Sequence, residues 1–384
     1  MKSILIIKND GIGDLICSSG LISRLSEKYS GNVDLITCIE NKEVAEHIPN
    51  IGKIFYVSRD ALSTCQKSIP VYAKIPFLKK FFIPYSNHVL DYRTLCHLLV
   101  SKYDVAVSLR RFIRTSTAIL MAMVRADKKY SCWQYPKNLT FQAMKSFSEG
   151  YENIVPTQER IWEPSYYQLV LEQIFGKKFI QDPYLRLPEP LDAECEIHSG
   201  SIGLIISDRG ARSWPDEYWS NLLDWLLSLR REIYLFGSAG DRKAWREKYR
   251  TEPLIHDVCG KLEFLGHHRY FRRLSLIIGE DTGLAHLAPL SGVPLGILQA
   301  NRDPRCFFPW TTVESVNLFG LYYSMPCHSC FLRPAHACVM PKKKRSRCIE
   351  QLSPESVRPY IEKALSGAKM PNFIDVNDGW KTHF

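Results

Sequence analysis

The residues of this chain best suited to chemistry fall in short stretches that each follow an apolar run. Gly279-Glu280-Asp281-Thr282-Gly283-Leu284-Ala285-His286 comes after Leu274 to Ile278. A buried strand therefore delivers the chain into Asp281-Thr282-Gly283, and Leu284 onward is expected to be a helix. The first N–H groups of a helix lack partners and lie at the positive end of its dipole, and a glycine there admits a phosphate close to the main chain. Asp281 and Thr282 also fit as plain helix caps. Lys8-Asn9-Asp10-Gly11-Ile12-Gly13-Asp14 follows the apolar run Ser3 to Ile7 and opens a helical pattern at Leu15, Leu21, Ile22 and Leu25. It places one carboxylate, Asp14, at a helix start, where it can cap the helix or handle a proton.

Arginines gather after two further runs. Arg110, Arg111 and Arg114 follow a strand predicted over Tyr103 to Leu109. Ligands of open α/β sheets bind at the carboxyl ends of strands, and arginine suits carboxylate or phosphate groups; a solvated positive face is the other reading. Ser207-Asp208-Arg209-Gly210-Ala211-Arg212-Ser213-Trp214-Pro215 follows the strand Ile202 to Ile206, and its arginines and hydroxyls suit a diphosphate. The helix after it, through Trp219, Leu222, Leu223 and Leu226, begins near Pro215, where a missing N–H costs nothing. Cys327 and Cys330 form a C-x2-C pair, followed after seven residues by Cys338 and after nine more by Cys348. Four thiolates can close a tetrahedral Zn or Fe site, with His328 and His336 as substitute ligands; four reduced cysteines in a loop is the alternative.

The elements that must position these residues repeat a strand, glycine turn, helix order. Further strands are expected at Val33 to Ile39, Ile54 to Val57, Ile233 to Phe236 and Leu295 to Leu298, with helical material in Gly150 to Gln181 and a closing helix over Pro354 to Leu365. That alternation predicts doubly wound α/β domains. The Pro-rich stretch Asp182 to Gly200 divides them, giving an N-terminal domain over 1–190, a C-terminal domain over 201–365 and a tail over 366–384. A dinucleotide fingerprint fails at the first turn, because G-x-G-x-x-G requires glycine where Ile16 stands. Lys67 to Tyr92 mixes prolines, lysines and aromatics and suits either an anionic bilayer surface or a substrate loop.

With 384 residues, 45% hydrophobic and 23% charged, the composition is that of a globular protein of more than one domain. No apolar run reaches the ~18 residues of a membrane span, and the opening residues are too short for a signal peptide, so the chain is expected in the cytosol. There its 12 cysteines should be thiols or metal ligands. The net charge of +10 favours an anionic partner.

Taken together, Ile4-Leu5-Ile6-Ile7 through Gly11-Ile12-Gly13-Asp14, Arg212-Ser213-Trp214-Pro215, Phe236-Gly237 and Asp281-Thr282-Gly283-Leu284-Ala285-His286-Leu287-Ala288 resemble glycosyltransferase family 9, the ADP-heptose:lipopolysaccharide heptosyltransferases. The Cys327-His328-Ser329-Cys330 cluster resembles one found in members that glycosylate autotransporter proteins and bind iron. The resemblance implies a GT-B fold, two Rossmann-like domains facing across a cleft, with nucleotide sugar on the C-terminal domain and acceptor on the N-terminal one. It makes Asp14 the general base of an inverting transfer, with Gly13, Arg110, Arg111 and Arg114 toward the acceptor. Ser207, Arg209, Arg212, Asp281, Thr282, Gly283, Leu284 and His286 fall to the donor. It implies no catalytic cofactor, a structural Zn or Fe at Cys327, Cys330, Cys338 and Cys348, and an anionic glycolipid acceptor met at the inner face of the cytoplasmic membrane. A protein acceptor or another nucleotide sugar is the alternative, and nucleic acid is not an expected partner. Two positions depart from the family pattern: Arg212 stands where lysine is usual, and Gln299-Ala300-Asn301-Arg302-Asp303-Pro304 where a glycine turn is usual.

Overall fold

A computed structural model describes residues 2–57, 97–98, 100–111, 115–133, 151–157, 161–179, 182–188, 197–198, 200–208, 210–300, 308, 310, 316–325 and 345–377. The segment Lys67 to Tyr92 and the residues Arg114, Arg209, Cys327, Cys330 and Cys338 lie outside the described residues. The chain divides into two compact units, Met1–Glu159 with Glu163–Arg186, and Arg160–Trp162 with Leu187–Phe384.

In the first unit β1 (Ile4–Ile7), β2 (Val33–Cys38), β3 (Ile54–Val57), β4 (Lys102–Ser108), β5 (Arg125–Ser131) and β6 (Glu152–Asn153) form one sheet in the order β3-β2-β1-β4-β5-β6. Every pairing is parallel. All four β1 residues are fully buried, as a central strand covered on both faces must be. The helix Ile12–Lys28 follows β1, and Glu163–Phe175 packs against it.

The second unit repeats the plan. β7 (Ile202–Ile205), β8 (Ile233–Phe236), β9 (Ile255–Asp257), β10 (Leu276–Glu280), β11 (Leu295–Gln299), β12 (Leu318–Tyr322) and β13 (Phe373–Asp375) run parallel in the order β13-β12-β11-β10-β7-β8-β9. Its core joins strand residues such as Leu204, Leu235 and Ile278 to Trp214, Trp219, Leu222 and Ile361. Gly279 is required where β10 meets β7, since a Cβ there would stand 2.7 Å from Ile205 Cβ.

Both sheets carry the doubly wound strand order, so the expected α/β fold of two Rossmann-like units is present. Two details bear on the boundaries of these units. Phe179 is buried, Tyr184 N–H donates to Ser19 Oγ (2.9 Å) and Arg186 N–H to the His47 carbonyl (2.8 Å), so the chain stays on the first unit through Arg186. Residues 366–384 are not simply a tail, because Phe373–Asp375 pairs with β12 and is buried. No helix among the described residues is long and apolar enough to cross a membrane.

Candidate functional site

Strand order reverses between β1 and β4 in one sheet and between β7 and β10 in the other. At such a point the neighbouring loops lead away in opposite directions and leave a crevice beyond the strand ends. Asp14 follows β1, Arg110 and Arg111 follow β4, Ser207 to Ser213 follows β7, and Asp281 to His286 follows β10. The described residues expected to bind donor or acceptor therefore stand at the reversal of their own sheet.

In the first unit Asp14 sits in the first turn of Ile12–Lys28, and its Oδ2 accepts the Gly11 N–H at 2.9 Å. That bond fixes the carboxylate, while Oδ1 accepts no hydrogen bond from the described residues and the side chain is half-buried. Gly13 is buried in the same turn. Arg110 and Arg111 are buried rather than displayed to solvent. One Arg110 nitrogen donates to the Asn9 carbonyl at 2.7 Å, and the Arg111 guanidinium lies 4.4 Å from the centre of the Tyr166 ring. Each thus ties the loop after β4 to its surroundings.

Beneath this turn lies a charged cluster that sequence reading missed. Lys8 is fully buried and its Nζ contacts Asp10 Oδ2 (3.2 Å), Tyr167 Oη (3.1 Å) and Glu163 Oε1 (3.5 Å). Burial alone would lower the lysine pKa, but Asp10, Glu163 and Asp14 outweigh it and raise it, so the ammonium stays charged. Burial pushes the Glu163 carboxyl up to about 7 against the pull of Lys8. Tyr167 donates to Glu163 and accepts from the Arg111 N–H at 3.2 Å. The only sequence signal was two charges, Lys8 and Glu163, next to apolar or aromatic neighbours.

In the second unit Thr282 is the extended N-cap of the short helix Gly283–Leu287, and all five of its helical residues are buried. The Thr282 hydroxyl does not cap the helix, and Oγ1 is buried with no partner among the described residues. His286 Nδ1 accepts from the Trp310 indole N–H (3.3 Å), which leaves its other nitrogen to donate toward Asp281 Oδ1, 3.3 Å away. Asp281 is thus held as a hydrogen-bond acceptor, a role that suits a sugar hydroxyl better than a phosphate. Ser207 and Arg212 are half-buried beside β7, and the N–H of Gly210 holds the Asp208 carboxyl below its ordinary range. Arg242 braces the two loops: it donates to the Ser207 carbonyl (3.3 Å) and the Trp214 carbonyl (2.8 Å) and lies 3.6 Å from Glu280. A cavity of about 900 Å³ opens along β8 and β9, lined among others by Tyr234, Ala239, Lys243, Arg246, Lys261 and Tyr270. Of the expected metal ligands only Cys348 is described, and it is buried in the helix Arg347–Gln351.

Residues 203–334 match glycosyltransferase family 9 (heptosyltransferase). No curated protein matches the chain in sequence. Among solved structures it is similar to a family 9 glycosyl transferase from Veillonella parvula DSM 2008, at 16% identity and a TM-score of 0.62 over 96% of this chain and 98% of that one. It is similar to E. coli heptosyltransferase WaaC with ADP, at 14% identity and a TM-score of 0.63 over 96% of this chain and 99% of that one. The iron-containing dodecameric glycosyltransferase TibC from enterotoxigenic E. coli H10407 aligns at 14% identity and a TM-score of 0.51, over 95% of this chain and 77% of that one. The fold is the GT-B type, and the match to the family 9 model lies on residues 203–334.

Proposed function

Starting from the family 9 match on residues 203–334, we propose that the protein transfers heptose from ADP-heptose to a lipopolysaccharide inner-core acceptor carrying Kdo or heptose, with inversion at the anomeric carbon. The observation that carries this reading is the coincidence of the expected residues with both strand-order reversals. The acceptor hydroxyl oxygen attacks the anomeric carbon as the bond to the ADP oxygen breaks, and its proton passes to Asp14 Oδ1. The charge left on ADP falls to the amides of Gly283 and Leu284 and to Arg212, and the Thr282 hydroxyl and Asp281 serve the donor. The cavity along β8 and β9 accommodates the nucleoside: two strand spacings of ~5 Å separate β9 from β7 at the reversal. Gly13 and the loop carrying Arg110, Arg111 and Arg114 face the acceptor. The net charge of +10 suits an anionic glycolipid at the inner membrane face.

The test is ADP release on mixing ADP-heptose with Kdo-lipid A. Asp14→Asn keeps an oxygen to accept from Gly11 N–H, so the helix start survives while the base is lost. Turnover is expected to fall by roughly 10²- to 10⁴-fold with ADP binding retained; turnover equal to wild type removes Asp14 as base. If ADP-heptose gives no release, other nucleotide sugars are the next donors to offer.

A protein acceptor is the second reading, favoured by the C-x2-C cluster and by the likeness to iron-containing TibC. In either case the transfer chemistry needs no metal, and Cys327, Cys330, Cys338 and Cys348 form a structural Zn or Fe site. Elemental analysis showing no metal per chain would remove it.

A further inference from the structure

The cluster beneath Asp14 holds two buried carboxylates against one buried ammonium. Tyr167 uses its hydroxyl fully, donating to Glu163 Oε1 and accepting from Lys8 Nζ (3.1 Å) and from the Arg111 N–H (3.2 Å). Yet Asp10 Oδ1 and Glu163 Oε2 are buried with no partner among the described residues. A cluster that served only the fold would satisfy both acceptors, because a buried oxygen left bare costs about 1–3 kcal/mol. A proton held by Glu163 would neutralise one of the two bare carboxylates. Lys8 links that proton to Asp14, whose carboxylate shares the field of the same ammonium.

We infer that Glu163 is a positioning residue of the transfer, acting through Lys8 and Tyr167 on the loops that carry Asp14 and Arg111. The inference rests on Asp14 as the base. When Glu163 holds the proton, Lys8 is left to Asp10 and Asp14, and Asp14 is a weaker base. When Glu163 is ionised it takes its share of Lys8, and Asp14 becomes a stronger one. The groups that face Glu163 are Lys8 and Asp10 after β1, Asp14 on the first helix, Tyr167 on its own helix and the Cys132 thiol after β5. Burial holds the Glu163 carboxyl up at about 7. Turnover therefore rises with pH through a limb that belongs to Glu163.

The test is kcat against pH from 5.5 to 9, with ADP-heptose and Kdo-lipid A as substrates and ADP affinity measured alongside. Glu163→Gln keeps an acceptor for Tyr167 but mimics the protonated acid. It is expected to lower kcat about tenfold and remove the limb near 7, leaving the ADP Kd within twofold of wild type; Glu163→Asp restores the limb. Tyr167→Phe takes a hydrogen bond from the ionised carboxylate and moves the limb to higher pH, and it serves if Glu163→Gln does not fold. Profiles that track wild type in both variants overturn the inference. If Asp14→Asn is inactive while Glu163→Gln follows wild type at every pH, only this inference fails. If Asp14→Asn turns over normally, the base reading fails and takes this one with it.

Discussion

Thr282 contributes a hydroxyl that the fold leaves unused. As an N-cap it should bond to an N–H one turn in, but its side chain makes no such bond and Oγ1 is buried without a partner among the described residues. A buried hydroxyl in that state costs stability, and an isosteric apolar group in its place is close to neutral or better. Thr282→Val should therefore leave the unfolding midpoint of the free protein within about 1 kcal/mol of wild type, or raise it. The same change should weaken ADP binding, seen as a smaller thermal shift on adding ADP, because a ligand of the folded state stabilises in proportion to its affinity. A marked loss of stability in the free protein would mean that the hydroxyl has a structural partner and is not held for a ligand. His286 shows the opposite logic. The indole of Trp310 occupies one ring nitrogen and Asp281 faces the other, so the histidine shapes the loop from below.

At the scale of elements, the loops after β7 and β10 are braced by Arg242. Its guanidinium reaches the Ser207 and Trp214 carbonyls and Asp216, and it is the buried cation beside Glu280, the last residue of β10. Glu280 in turn accepts the Trp214 N–H. Removing one partner of a buried pair strands the other, so Arg242→Met is expected to cost about 3 kcal/mol in urea unfolding; a cost below about 1 kcal/mol would show that Glu280 does not depend on it. This brace also shows where sequence reading stopped. Central strands such as β1, β7 and β10 were legible because burial on both faces leaves an unbroken apolar run. β5 was not, since Arg125-Ala126-Asp127-Lys128-Lys129 is polar and mostly exposed until Tyr130, and β13 is only three residues long. Asp14 and Thr282 were legible through glycines and caps, which mark local backbone geometry, and His286 through the resemblance of its stretch to the family. Lys8, Glu163 and Tyr167 were not, because the pair Lys8 and Glu163 is joined only by folding across more than 150 residues.

Across the whole molecule, the two units carry buried titratable groups of opposite sense. In the first unit, burial raises the Glu163 carboxyl from 4.5 to about 7. The folded unit thus keeps a proton that the unfolded chain releases, and its stability falls as pH rises between those values. Lys8 does not cancel this, because its raised pKa matters only above its ordinary value of 10.5; below that its contribution is fully present. In the second unit, burial, reinforced by Arg272, lowers His268 from 6.5 to about 4, while its Nδ1 sits 2.7 Å from Ser291 Oγ. There the unfolded chain gains a proton that the folded unit refuses, so stability is full above 6.5 and is lost as pH falls toward 4. Acidification from pH 7.5 to 5 should consequently raise the unfolding temperature of the first unit and lower that of the second. Scanning calorimetry across this range is expected to show one transition separating into two, or two moving apart. Glu163→Gln should flatten the upward shift and His268→Gln the downward one. Transitions that move together with pH, or shifts that survive both substitutions, would assign the pH dependence to other groups.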